Sequence, residues 1–90
     1  MYRIVFTENA RRDLQILQKR APQSIKKLKS LLVELQEHPR TGTGQVELLK
    51  YYAEETWSRR ISKEHRLVYR IYDDVVEVLV LSAFGHYSNS

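Results

Sequence analysis

Apolar residues recur along the chain in two rhythms, a period of two at either end and a helical period near 3.6 between them. Tyr2, Ile4 and Phe6 alternate with their neighbours, which predicts a leading strand over residues 2–6. Thr7 suits a helix N-cap and Glu8 the positive end of the helix dipole. Ala10, Leu14 and Leu17 follow at helical spacing, predicting a first helix over residues 8–19. Ala21-Pro22 breaks it and restarts a second helix, because proline fits a first turn and disfavours helix at the residue before it. Ile25, Leu28, Leu32 and Leu35 form the expected buried stripe of that helix, with Lys26, Lys27 and Lys29 mostly off it, and His38-Pro39 ends it. So short a connection predicts an antiparallel helical hairpin.

Thr41-Gly-Thr-Gly44 reads as a loop, and three β-rich runs follow at Thr56–Ile61, His65–Tyr72 and Val75–Leu81. Asp73-Asp74 supplies a two-residue turn between the last two. Strand, helical hairpin and three-strand meander together predict an α+β domain, with the helices on one face of a mostly antiparallel, twisted sheet. If Ser62-Lys63-Glu64 is the loop of the first β-hairpin, Ile61 faces His65 and Arg60 faces Arg66. Alternation then sends Trp57, Ile61, Leu67, Tyr69 and Ile71 toward the helices, and Ser58, Arg60, Arg66, Val68, Arg70 and Tyr72 to an uncovered face. Arg59 falls on the apolar side, fits poorly there, and is expected to escape at a sheet edge. Arg70 is expected to form an ordinary cross-strand ion pair with Glu77. Two arginines opposed at about 5 Å repel unless an anion lies between them, so Arg60 and Arg66 mark either a phosphate site or a solvated pair.

Composition narrows the choice of function. The 90 residues suit one domain, residues 1–90, burying roughly 60% of its unfolded surface. Without cysteine there is neither a disulfide scaffold nor a thiolate metal site, and His38, His65 and His86 lack a metal-binding spacing. No metal or cofactor is therefore expected. The longest apolar run, residues 75–84, is interrupted by Glu77 and Ser82 and falls short of the roughly 20 residues of a membrane span. With no signal-peptide pattern at the start, a cytoplasmic protein is expected. The net charge of +4 is uneven: residues 1–45 carry a balance of +5, residues 46–90 one of −1, and residues 57–72 alone one of +4. A basic patch favours a polyanion such as nucleic acid, although a charge of +4 also describes an ordinary soluble domain.

Cutting a phosphodiester without metal requires a base on the 2′-hydroxyl, an acid on the departing 5′-oxygen, and cations on the phosphorane-like charge. Glu47 and Lys50 after the glycine loop, the Arg60–Arg66 pair, and His86-Tyr87 are the residue types for those roles. Each also has an ordinary reading: Glu47 as a solvated loop charge, His86 as an exposed histidine near the C-terminus. His38 and His65 read as structural or solvent-facing.

The stretch Glu47-Leu-Leu-Lys50, then Trp57-Ser-Arg-Arg-Ile61, Glu64-His-Arg-Leu-Val-Tyr69 and finally His86-Tyr87 closely resembles the YoeB (Txe/YoeB) toxin family, within the RelE-like endoribonucleases of bacterial toxin–antitoxin systems. The resemblance covers nearly the whole chain and includes the spacing Gly42-x-Gly44-x-x-Glu47-x-x-Lys50. It implies the RelE-like fold and a toxin that enters the ribosomal A site and cuts the mRNA there. By the same resemblance Glu47 is the general base, His86 the general acid, and Arg66 the main stabiliser of the scissile phosphate. Arg60 and Lys50 would support it, and Tyr87 would position the acid or the substrate. The ribosome and mRNA are then partners, as is a cognate YefM-like antitoxin whose acidic tail competes for the same arginines; similar toxins can also form homodimers. The chain departs from the family pattern at Ala53-Glu-Glu-Thr56, where a glycine commonly precedes the tryptophan, and at Val46 and Leu48, where a proline often adjoins the glutamate. It also reaches His86 through a longer last strand and continues as Ser88-Asn89-Ser90. A ParE-like binding toxin that poisons gyrase, and a degenerate toxin that only binds antitoxin and regulates, are the alternatives on the same scaffold; ParE relatives generally lack the Glu/His pair.

Overall fold

The elements follow one another in the predicted order. In a computed structural model that describes residues 1–85, β1 (Arg3–Phe6) leads into α1 (Glu8–Arg20), a 3₁₀ turn at Pro22–Ser24 and α2 (Ile25–Glu37). Then come β2 (Glu47–Leu49), β3 (Thr56–Arg60), β4 (Arg66–Tyr72) and β5 (Glu77–Ser82). The sheet order is β1-β5-β4-β3-β2, with β1 parallel to β5 and every other pair antiparallel. Thr7 caps α1 by accepting the Ala10 N–H at 3.1 Å, and its hydroxyl donates to the Leu81 carbonyl at 3.1 Å, tying the helix start to the end of β5. Glu8 in the first turn and Lys19 and Arg20 in the last complement the helix dipole. Both helices cover one face of the sheet, where Leu17, Leu31, Leu35, Leu67, Tyr69 and Val80 are fully buried. In α2 the buried positions are Leu28, Leu31 and Leu35, while Ile25 and Leu32 are only half-buried, so the stripe is rotated from the one expected.

Three details differ from the sequence expectation. Glu47–Leu49 is a strand, not loop: β3 would otherwise leave its outer row of backbone groups unpaired, and these three residues close it with Glu47 opposite Ser58 and Leu49 opposite Thr56. The turn after β4 is longer than Asp73-Asp74. It runs through a 3₁₀ turn at Asp73–Val75 and places Val76 at φ 51°, so that Tyr72 pairs with Glu77. Valine rarely adopts that conformation. The return is anchored because the Val76 N–H donates to Asp73 O at 3.2 Å and its carbonyl accepts from the Arg3 N–H at 3.0 Å. The expected Arg70–Glu77 pair therefore does not form. Glu77 pairs with Arg3 at 3.1 Å, and Arg70 turns to Glu54 at 3.6 Å and to the Thr56 hydroxyl at 3.2 Å.

The third correction is Arg59, which does not escape at an edge but is completely buried beneath the helices. Its guanidinium reaches Tyr69 Oη at 3.1 Å, Glu34 Oε1 at 2.6 Å, and the carbonyls of His38 at 2.5 Å and Thr41 at 2.7 Å. A buried charge is tolerated when it is paired and its donors are satisfied. Here the chain from His38 to Thr43 folds around the cation and supplies those acceptors.

Candidate active site

Residues pointing away from the helices form the other face of the sheet. The observed register opposes Arg60 to Arg66, Ser58 to Val68 and Thr56 to Arg70, as the three-residue hairpin loop predicts. β2 adds Glu47 and Leu49 to the same face. Ser58, Thr56 and Val68 are nearly inaccessible although they belong to no helix-facing core: they are short, and longer neighbours rise around them. The result is a floor of small side chains with Glu47 on one rim and the two arginines beyond it. Glu47 is directly opposite Ser58, so Arg60 is its diagonal neighbour, roughly 7–8 Å away.

The arginines solve their mutual repulsion through backbone. Arg66 Nη1 donates to the Ser62 carbonyl at 3.0 Å, and Arg60 Nε reaches the same oxygen at 3.4 Å. Arg60 also lies 3.5 Å from Gln45 Oε1. Among the described residues neither forms an ion pair, in contrast to Arg3, Arg40, Arg59 and Arg70. Glu54 accounts for part of that difference. It accepts from the Tyr72 hydroxyl at 3.1 Å and pairs with Arg70, so the carboxylate that departs from the family pattern engages one cation of the face and leaves the other two. Its neighbour Glu55 turns elsewhere, to Arg40 at 2.9 Å and to the Trp57 indole N–H at 2.6 Å. Arg40 and then Trp57 hold the Glu55 carboxyl below its ordinary range.

Of the residues singled out in the sequence, Glu47, Arg60 and Arg66 share this face. Lys50 sits exposed in the turn after β2, and among the described residues no hydrogen bond or ion pair brings it to the arginines. His86 and Tyr87 lie outside the described residues. His65 resolves to the structural alternative: it is buried, its Nδ1 accepts the Gly85 N–H at 2.8 Å, and its ring stacks on Phe84. Sequence reasoning overlooked Asp13, whose carboxylate accepts from the backbone of Ala83 at 2.9 Å and Phe84 at 3.3 Å. The one available signal was an acidic residue close to the apolar stripe of α1, which calls for a buried donor. It likewise passed over Glu34, the carboxylate under Arg59. Thr43, through its hydroxyl and its N–H, holds Glu34 below the ordinary glutamate range, and Arg59 adds to this against the opposing effect of burial. A carboxylate on the same sheet face as two guanidiniums that form no ion pair among the described residues is suited to a phosphodiester, with the carboxylate taking a proton and the arginines taking the charge.

Comparison with known proteins gives the chain its relatives. Residues 6–87 match the family model described as YoeB-like toxin of bacterial type II toxin–antitoxin systems. Toxin YoeB of Synechocystis sp. is 36% identical over 85 residues, spanning 94% of this chain and 96% of that protein. Among solved structures, a YoeB/ParE toxin from Agrobacterium tumefaciens superposes with a TM-score of 0.86 at 30% identity, covering 94% of this chain and 99% of the other. YoeB of Staphylococcus aureus is 32% identical; its dimer gives a TM-score of 0.83 over 96% of this chain and 98% of that one. The heterotetrameric YoeB–YefM complex from the same organism gives 0.79 over 97% and 99%.

Proposed function

Because the chain belongs to the YoeB-like toxins of bacterial type II toxin–antitoxin systems, we propose that its sheet face is the active site of a ribosome-dependent mRNA endoribonuclease. The observation that carries this reading is the convergence of Glu47, Arg60 and Arg66 on one face that no described helix covers. Glu47 takes the proton of a 2′-hydroxyl, whose oxygen attacks the adjacent phosphorus. The bond from phosphorus to the 5′-oxygen breaks, and His86 donates the proton that this oxygen needs. A 2′,3′-cyclic phosphate and a 5′-hydroxyl result. Arg66 and Arg60 exchange the Ser62 carbonyl for phosphate oxygens and stabilise the added negative charge, which a bidentate guanidinium does well. Lys50 supports the backbone of the bound message, and Tyr87 positions the acid. No metal or cofactor takes part in this scheme.

The setting follows from the same reading. The toxin acts in the cytoplasm, on mRNA in the ribosomal A site, and no helix among the described residues is long and apolar enough to cross a membrane. A YefM-like antitoxin with an acidic tail is its partner, as YefM is for the S. aureus relative, and a homodimer is a further state, as in that relative. Acidic side chains from such a tail would occupy Arg60 and Arg66 in place of phosphate.

Cleavage mapping of a defined mRNA in purified translation complexes tests the proposal. Wild type should cut in the A-site codon. Glu47→Gln and His86→Ala should each lower the rate by about 10²–10⁴-fold, and Arg66→Ala by about 10²–10³-fold. Intact RNA beside a toxic wild type would overturn the nuclease reading in favour of a ParE-like target. Intact RNA with a harmless wild type would leave a regulator.

A further inference from the structure

After β5 the backbone leaves the sheet ladder, yet its next three N–H groups are all taken by side chains. Asp13 Oδ2 accepts from Ala83 at 2.9 Å and from Phe84 at 3.3 Å, and His65 Nδ1 accepts from Gly85 at 2.8 Å. The Gly85 carbonyl in turn accepts the Arg66 N–H at 3.0 Å. The imidazole of His65 stacks on Phe84, centroids 4.6 Å apart and planes inclined by 28°. Exposed loops satisfy such groups with water. A run of consecutive donors captured by a helix carboxylate and the histidine just before β4 instead specifies one path for the chain. Gly85 has φ +79°, and a Cβ placed on it would meet nothing within 4 Å, so the backbone turn itself and not crowding calls for glycine.

His86 follows Gly85 by one peptide bond, and His65 precedes Arg66 in the chain. The same two consecutive residues thus hold the phosphate cation on one side and the approach to the acid on the other. We propose that His65, assisted by Asp13, is a positioning residue of the nuclease: it fixes the last backbone unit before His86 relative to the phosphate held by Arg66. This rests on the assignment of His86 as the general acid. Proton donation depends steeply on placement, and a displacement of about 1 Å costs on the order of 10²-fold in rate.

The test measures kcat and KM for mRNA cleavage in translation complexes with His65→Phe, His65→Asn, Gly85→Ala and His86→Ala, and follows exchange of the Gly85 amide proton in the free toxin. Phenylalanine keeps a ring over Phe84 and removes the acceptor, whereas asparagine returns an oxygen near the position of Nδ1. His65→Phe should lose protection of the Gly85 amide and lower kcat by about 10²-fold with KM nearly unchanged. His65→Asn should recover up to about tenfold of that, which is what one restored hydrogen bond provides. Combined with His86→Ala, His65→Phe should cost nothing more, since it acts through the residue already removed. Wild-type kcat in His65→Phe, or an undiminished effect in the His86→Ala background, would overturn the proposal while leaving the nuclease reading intact. Equal rates for wild type and His86→Ala would instead remove the acid on which both depend. Should His65→Phe fail to fold, Gly85→Ala carries the decision, because its added methyl meets no neighbour: an unchanged kcat there counts against the proposal.

Discussion

Arg59 and Arg60 are adjacent in β3, and the pleat sends one beneath the helices and the other to the uncovered face. The first is surrounded by Glu34, Tyr69 and loop carbonyls; the second leans on the Ser62 carbonyl, which a phosphate can replace. Replacing Arg59 by lysine keeps the charge but loses the fork, leaving buried acceptors without donors. It should destabilise the fold by about 3 kcal/mol. Arg60→Ala should change stability by less than about 1 kcal/mol and slow RNA cleavage instead. Urea unfolding of both variants beside the cleavage assay separates the two effects, and similar losses of stability would contradict the assignment. The Arg60–Arg66 opposition was legible beforehand because a three-residue hairpin loop fixes a register, and a register fixes faces. The burial of Arg59 was not. Alternation says which way a side chain points but not what awaits it, and its acceptors come from residues 34–43, distant in sequence. His86 and Tyr87 entered as residue types suited to the chemistry, and the resemblance alone gave them their roles.

At the level of elements, the loop from Arg40 to Val46 links the buried cation to the edge strand. Gly42 has φ +126°, and a Cβ there would collide with the Glu34 carboxylate and come within 2.9 Å of Arg59 Nη1. Gly42→Ala should therefore cost more than about 1 kcal/mol, through the loop and the Arg59–Glu34 pair together. A thermal melt with no shift would show that the loop yields freely. The helices and the three longer strands were readable from periodicity, since each carries several turns or alternations of apolar residues. β2 carried no such signal. Glu47, Leu48 and Leu49 do not alternate, and they become a strand only because β3 has an edge to complete. The turn after β4 was misjudged for a similar reason: Asp73-Asp74 has turn chemistry, but the length of the turn is set by β1 and β5, whose register draws the Val76 carbonyl to Arg3.

For the molecule as a whole, carboxylates hold the surface connections. Arg40 bridges Glu55 and Asp73, and the Tyr2 hydroxyl donates to Asp73 at 2.6 Å, joining the N-terminus, the loop before β3 and the turn after β4. Hydrogen bonds from Arg40 and Tyr2 hold Asp73 below its ordinary range, as those from Thr43 hold Glu34 and those from Arg40 hold Glu55. Groups lowered by folding stabilise the native state above their unfolded values and release that stability as pH falls through their folded ones. The urea midpoint should hold from neutrality down to about pH 5 and decline below the ordinary glutamate value of 4.5, with a shallower decline in Glu34→Gln. A midpoint unchanged down to pH 3, roughly an order of magnitude in acidity below those unfolded values, would refute the linkage. The pairing of β1 with β5 has a temporal consequence as well. It joins residues 74 positions apart, Arg3 with Glu77, so β1 waits for β5. During vectorial synthesis from the N-terminus, β1 emerges long before β5, and the native sheet cannot close until β5 has been made. A protein proposed to attack messages on the ribosome thus acquires its closed sheet only after the ribosome has itself translated β5.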